Sequence, residues 1–251
     1  MLKKGELLLW DSSEVYDEKW RKLFRDSFSY EYPYQAEGAI PAKLTVSEIK
    51  RMQSADTEES EILLEEEETE EIVPLFMQET REELKGAAKG TLYHRVWENL
   101  DYEKIDTKEQ IEEQLENMLT TEEKKSIWIP DFYRFAKNPL AVRMKEAAQR
   151  GQLYREQPFV IAMPANQMKK EYETEEEILV QGIIDAYFEE EDGLVLVDYK
   201  TDKVQKGQEK ELIEKYKVQM RYYKKALEMI TDREVKEIYI YSTGIGKAVL
   251  V

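Results

Sequence analysis

With 251 residues, the chain is long enough to bury a real core, as one domain with appendages or as two small ones. Its formal net charge of −17 argues against a generally basic nucleic-acid coat while leaving room for a local basic groove. The absence of cysteine excludes disulfides, zinc–thiolate sites, iron–sulfur clusters and thiol catalysis; with no membrane-length apolar run and no signal-peptide core at its start, the expected location is the cytoplasm.

Residues 12–30 read as a helix with Val15, Trp20, Leu23, Phe24 and Phe28 roughly on one stripe. A Tyr/Pro stretch follows, and residues 40–50 read as an extended entry into a short helix, with Thr45 or Ser47 as its N-cap. Residues 56–71 are almost wholly acidic, a self-repelling composition that suits a linker or exposed loop. Residues 86–100 read as a helix carrying Gly90, Thr91 and His94, the only histidine. On spacing alone, His94 is a hydrogen-bonded helical histidine near the core. Helical patterns continue over 108–118, 130–137 and 139–149, and Gly151 closes them. The expected division is an N-terminal helical and linker extension, 1–84, followed by a core, 85–251.

From Tyr154 the pattern turns to β, with strands expected at 156–162, 176–188 and 194–200. Glu156 stands where the first strand begins and reads as a charged strand terminus, with reach toward a metal site as the alternative. Apolar residues on both faces of Leu194-Val195-Leu196-Val197 imply a sheet covered on both sides. If Asp192-Gly193 forms a two-residue loop, Asp185 lies opposite Lys200 and Tyr187 opposite Asp198. Asp185, Asp198 and Lys200 then share one face, because residues two apart on a strand and residues directly opposed do so. Two carboxylates and an ammonium on an otherwise apolar hairpin are costly to bury unpartnered, and a divalent cation such as Mg²⁺ or Mn²⁺ resolves the cost. The plainer reading is a surface ion pair between Asp185 and Lys200. Asp-x-Lys is not specific by itself, since Asp17-Glu18-Lys19 and Asp106-Thr107-Lys108 also occur.

A long helix over 210–230 places Leu212, Tyr216, Gln219, Tyr223, Ala226 and Ile230 on one inward stripe. Gln219 and Tyr223 lie one turn apart on it, and Lys217, Arg221 and Lys224 form an adjacent basic strip suited to backbone phosphates. Strands over 235–241 and 247–251 close the chain around a Thr243-Gly244-Ile245-Gly246 turn, and no ATP-binding P-loop is present.

Taken together, Gly90-Thr91-x-x-His94, Glu156-x-Pro158-Phe159, Gly182-Ile183-Ile184-Asp185, Asp198-Tyr199-Lys200-Thr201 and Gln219-x-x-x-Tyr223 occur in order. They resemble the PD-(D/E)XK nuclease domain of the RecB/AddA group, and residues 33–50 look like the lead-in to that domain in AddA helicase–nuclease subunits. The resemblance runs from about Tyr32 onward. It implies an α/β restriction-endonuclease-like fold, a mixed central β-sheet flanked by helices with a helical N-terminal part. It implies metal ligation by His94, Asp185 and Asp198 with the Tyr199 carbonyl, and Glu156 at a less certain acidic position. Lys200 becomes the catalytic lysine, and Gln219 and Tyr223 support the site. The implied activity is Mg²⁺-dependent hydrolysis of DNA, single-stranded by expectation, with Mn²⁺ able to substitute. The implied partners are helicase domains and an AddB-type subunit, in end resection before recombinational repair. The missing P-loop suits an excised domain or a free-standing exonuclease, and a non-catalytic DNA- or partner-binding domain is the rival from another class.

Overall fold

The computed structural model describes residues 18–29, 38, 40–55, 83–168, 172 and 174–251. The acidic run at 56–71 and Val15 lie outside them. The chain divides into two units, Met1–Ile40 and Pro41–Val251. In the first, helix α1 (Glu18–Phe28) carries the expected stripe, and Trp20, Phe24 and Phe28 form an i, i+4 ladder of rings 6.4 Å apart. The stripe is exposed, Phe28 to 88%.

The second unit is built on a six-stranded mixed sheet. Its strands are β1 (Lys43–Thr45), β2 (Leu153–Pro164), β3 (Glu177–Glu190), β4 (Gly193–Lys200), β5 (Val235–Ser242) and β6 (Lys247–Leu250). Its helices are α2 (Val46–Ala55), α3 (Glu83–Asn99), α4 (Lys108–Met118), α5 (Thr121–Ser126), α6 (Ile129–Ala136), α7 (Pro139–Gln149) and α8 (Glu209–Thr231). β1 pairs with β3, so the compact unit that carries the sheet starts at Pro41. Local chemistry sets the helix starts. Thr45 and Glu48 cap α2 reciprocally, and the pairs Thr107/Gln110 and Thr120/Glu123 form capping boxes at α4 and α5. α7 begins with an Asn138 cap followed by Pro139.

β3 organises the sheet. Along one edge it pairs antiparallel with β2 from Glu177 to Phe188. Its other edge is shared: β1 runs parallel at Leu179–Gln181, and β4 runs antiparallel from Ala186 to Glu190. Residues 182–185, the Gly-Ile-Ile-Asp motif, therefore have no strand partner on that edge among the described residues.

The β3–β4 loop corrects the expected register. Glu190 pairs with Gly193, so Glu191-Asp192 is the loop and not Asp192-Gly193. Glu156 and Asp232 are the non-glycine residues with positive φ among those described, so this loop lacks the left-handed pair of an Asp-Gly turn. Each strand slides by one residue, which moves the pairing by two; continued inward, it sets Asp185 opposite Asp198 and not Lys200. An even slide preserves the faces.

β4 is buried on both faces as expected. Helices α3, α4, α6 and α7 cover the side that holds Val195, Val197 and Tyr199, around a cluster of Tyr93, Trp97, Phe132, Phe135 and Tyr241. Trp97 stacks on Tyr199 with centroids 4.3 Å apart and planes 11° apart. On α8, Leu212, Tyr216, Tyr223 and Ala226 are buried as expected, together with Met220, Tyr222 and Leu227, while Ile230 is 57% exposed.

The far end of the hairpin is fastened by charge. Arg143 of α7 grips both Glu190 oxygens at 2.9 Å and Glu237 at 2.6 Å, and Lys236 reaches Glu190 at 2.6 Å. The Arg143 fork, aided by Lys236, holds the Glu190 carboxyl at about 2, below its ordinary 4.5. A depressed folded-state pKa stabilises above the unfolded value, and that contribution is lost as pH falls from 4.5 toward 2. Glu190→Gln is thus expected to cost about 1 kcal/mol in urea denaturation at pH 7, after allowance for solvent screening. The gap to wild type should narrow by more than half at about pH 3. An equal gap at both pH values would remove the ion network from the account.

Candidate active site

The unpaired stretch of β3 is where the charged groups meet. Continued past Ala186–Val197, the β3–β4 ladder would pair Tyr199 with Ile184. Instead the Tyr199 N–H donates to Asp185 Oδ2 at 2.8 Å. The carboxylate replaces a ladder carbonyl, and the two strands part there.

His94 arrives from α3. Tyr93, Val96, Trp97 and Leu100 bury that helix, and the Tyr93 hydroxyl fixes it by donating to Asp131 at 2.8 Å. His94, next to this apolar face, sets its ring edge-on to Trp97 and Tyr199 and its Nδ1 3.4 Å from Asp185 Oδ1. Burial opposes charge on the imidazole, but Asp185 outweighs it and raises the His94 pKa. Burial likewise opposes charge on Asp185, and His94, Lys200 and the Tyr199 N–H reverse that and lower it.

Glu156 corrects the sequence reading. It is no strand terminus: β2 begins at Leu153, and Glu156 sits inside it between the pairs Arg155–Ala186 and Gln157–Ile184, where the register sets it opposite Asp185. Its φ of +45° is left-handed, a conformation that costs a non-glycine residue on the order of 1 kcal/mol or more and clusters at functional sites. His94, Glu156 and Asp185 each offer a ligand atom, all within 4.8 Å of one another.

Asp198 lies beside this group, fully buried. Its Oδ2 stands 3.0 Å from Lys200 Nζ but lacks a partner in hydrogen-bond geometry among the described residues, while Oδ1 accepts from Gln219 Nε2 at 3.4 Å. Burial, with Asp185 nearby, pushes the Asp198 carboxyl up to about 7 against the pull of Lys200. Burial disfavours the charged Lys200, but Asp198 and Asp185 prevail and raise it. A buried carboxylate whose Oδ2 faces a single ammonium, next to three converging N/O ligands, is a group that could hold a divalent cation.

Gln219 also donates to the Tyr223 hydroxyl at 2.9 Å, so this pair braces Asp198 from α8. Tyr199, expected to offer its carbonyl, meets Asp185 through its amide; its hydroxyl is buried 2.7 Å from that of Tyr102. Lys217, Arg221 and Lys224 pair away from His94, Glu156, Asp185 and Asp198. Lys217 pairs with Glu214 and Lys224 with Glu228 on their own helix, and Arg221 reaches Gln53 of α2 at 3.1 Å.

A family model of the PD-(D/E)XK nuclease superfamily matches residues 64–248. Curated proteins named as subunits of an ATP-dependent helicase/nuclease are also similar. The one from Thermoanaerobacter sp. (strain X514) is 42% identical over 240 residues, 91% of this chain and 18% of its own length. That from Acetivibrio thermocellus (strain ATCC 27405) is 39% identical over 247 residues, 94% of this chain and 19% of its own. That from Clostridium perfringens (strain ATCC 13124) is 37% identical over 242 residues, 89% of this chain and 19% of its own. The chain spans about a fifth of the length of these relatives.

The glycine before the aspartate motif has a packing reason. A Cβ at Gly182 would stand 2.8 Å from the Phe159 ring and 3.2 Å from Tyr223, whereas one at Gly90 would lie 3.4 Å from Thr201 Oγ1. Gly182→Ala should therefore destabilise by about 1–3 kcal/mol through overpacking. Gly90→Ala, in a helix, should be neutral or stabilise by up to about 1 kcal/mol. Urea denaturation of the two variants checks the order, and the reverse order would contradict the packing.

Proposed function

Because the chain belongs to the PD-(D/E)XK nuclease superfamily, we propose that it hydrolyses phosphodiester bonds of DNA, single-stranded by preference, with Mg²⁺ and with Mn²⁺ as a substitute. The observation that carries this reading is the convergence of His94, Glu156 and Asp185, from three different elements, within 4.8 Å, beside the buried Asp198 and its partner Lys200. His94, Glu156, Asp185 and Asp198 would hold the cation, with the Tyr199 carbonyl as a further ligand. When bound, it supplies Lewis-acid polarisation of the phosphate and a lowered pKa for water.

The chain's own groups do the rest. Lys200 orients the attacking water and offsets charge developing on the phosphate oxygens. In the reaction the water oxygen bonds to phosphorus, the bond from phosphorus to the leaving sugar oxygen breaks, and that oxygen takes up a proton. Gln219 keeps Asp198 in place, and Tyr223 keeps Gln219 in place. Lys217, Arg221 and Lys224 are assigned to the backbone phosphates of the bound strand.

The relatives' name extends the reading to the whole machine. An ATP-driven helicase would feed strands to this domain, alongside an AddB-type subunit, for resection of DNA ends in the cytoplasm. Among the described residues, no helix is long and apolar enough to cross a membrane.

Asp198→Ala and Lys200→Ala are each expected to lower Mg²⁺-dependent cleavage at least about 100-fold with the circular dichroism spectrum unchanged. Retained cleavage in both would defeat the mechanism. A protein that binds DNA equally in EDTA and leaves it uncut in Mn²⁺ is a binding module instead. Glu156→Gln should raise the Mg²⁺ concentration needed for half-maximal cleavage about 10-fold or more. An unchanged Mg²⁺ titration would return Glu156 to a structural role.

A further inference from the structure

Beside the site, aromatic and cationic groups gather on Tyr216 of α8, a residue that sequence periodicity marks only as part of a buried stripe. Its ring is 4% exposed, and Lys200 Nζ lies 4.4 Å from its centroid. Lys50 Nζ, from α2, lies 4.2 Å from the same centroid, with its side chain also buried. The Tyr216 hydroxyl donates to Asp202 Oδ2 at 2.7 Å, and Lys215 donates to Asp202 Oδ1 at 3.1 Å. Asp202 is itself fixed by close packing: a Cβ at Gly244 would come within 2.5 Å of its carbonyl oxygen.

A lysine ammonium is a compact charge on a stem with four rotatable bonds, and one carboxylate contact leaves much of that freedom in place. A second contact, to an aromatic face, removes it, and a desolvated ring holds an ammonium more strongly than an exposed one. We propose that Tyr216 is a positioning residue for Lys200. Its ring, anchored by Asp202 and contacted also by Lys50 and, at 5.5 Å, by Lys215, sets where the Lys200 ammonium stands relative to Asp198. Lys50 precedes residues 64–248, the part matched by the superfamily model, so the N-terminal β1–α2 segment is a working part of the site. What Lys200 does there rests on the nuclease reading; where it stands does not.

The test replaces Tyr216 with phenylalanine, with phenylalanines of increasing fluorination, and with leucine, and takes two readings. The first is the NMR shift of the Lys200 ε-methylene protons, assigned through Lys200→Arg. A ring-current upfield shift is expected in wild type and Tyr216→Phe, and its loss in Tyr216→Leu. Lys50→Met should also move this resonance. The second is single-turnover cleavage at saturating DNA. Tyr216→Phe should stay within about threefold of wild type, the fluorinated series should fall stepwise, and Tyr216→Leu should fall about 10-fold. DNA affinity in EDTA should hold across the series and the melting temperature from Tyr216→Phe through its fluorinated forms, so that activity falls there without stability, which a merely structural role would not produce; Tyr216→Leu, which empties a buried site, should melt lower and is assayed well below its transition. An absent ring-current shift, or a flat fluorination series in an active protein, overturns the proposal, and an unmoved resonance in Lys50→Met overturns the part given to Lys50. A ring-current shift in a wild type that cuts no DNA upholds the positioning and sinks the nuclease reading alone.

Discussion

Asp185 accepts the Tyr199 N–H in place of a backbone carbonyl, and much of the site follows from that exchange. A backbone donor inside a buried sheet must find an acceptor, and the ladder ordinarily supplies one. Here a side chain does, so β4 can leave β3 after Ala186–Val197 without stranding the amide. The parting opens the edge of β3 between β1 and β4, and the Asp185 carboxylate sits at that opening. On the opposite edge Glu156 adopts a left-handed backbone where it faces Asp185. Both irregularities sit at one level of the sheet, with regular pairing above and below them.

The charges there hold each other in ionisation states that burial alone would reverse. Asp185 is kept low by His94, and Lys200 is kept high by the two aspartates. Asp198, the deepest, is the one that burial wins. Such a buried group is weak evidence for stability, because well-packed apolar residues of similar volume often replace buried ion pairs without loss. Its presence is better explained by what the group can hold. Stability comes from elsewhere, from the Trp97–Tyr199 stack and the aromatic cluster that clamps α3 to β4. The same clamp places His94, so the core that stabilises the domain also sets the geometry of its site.

Much of this was legible in the chain. The helices at Lys108–Met118 and Pro139–Gln149 follow from period, caps and proline placement. The hairpin's face assignment does not depend on the loop because the difference is an even one; an odd slip would set Asp185 on the face opposite Asp198 and Lys200. The ordered motifs marked Gln219 and Tyr223, and both meet Asp198 or its neighbour. Glu156 was misread because a strained φ leaves no trace in an alternation pattern. The strip Lys217, Arg221 and Lys224 was read from helical spacing, which says which residues are neighbours but not which glutamates they choose.

What the sequence determined by itself is the inventory and its local order: helices that start at capped positions, strands by alternation, and acids and a lysine at spacings that share a face. These depend on neighbours within a few residues, which the chain fixes directly. Only the tertiary structure decided that β1 belongs to the sheet, that β3 has an open edge at Asp185, and that Lys50 and Lys200 meet the same tyrosine ring. The β1–β3 pairing and the Lys50–Tyr216 contact join segments more than a hundred residues apart, and their positions are set by packing of the whole core, which no local pattern encodes.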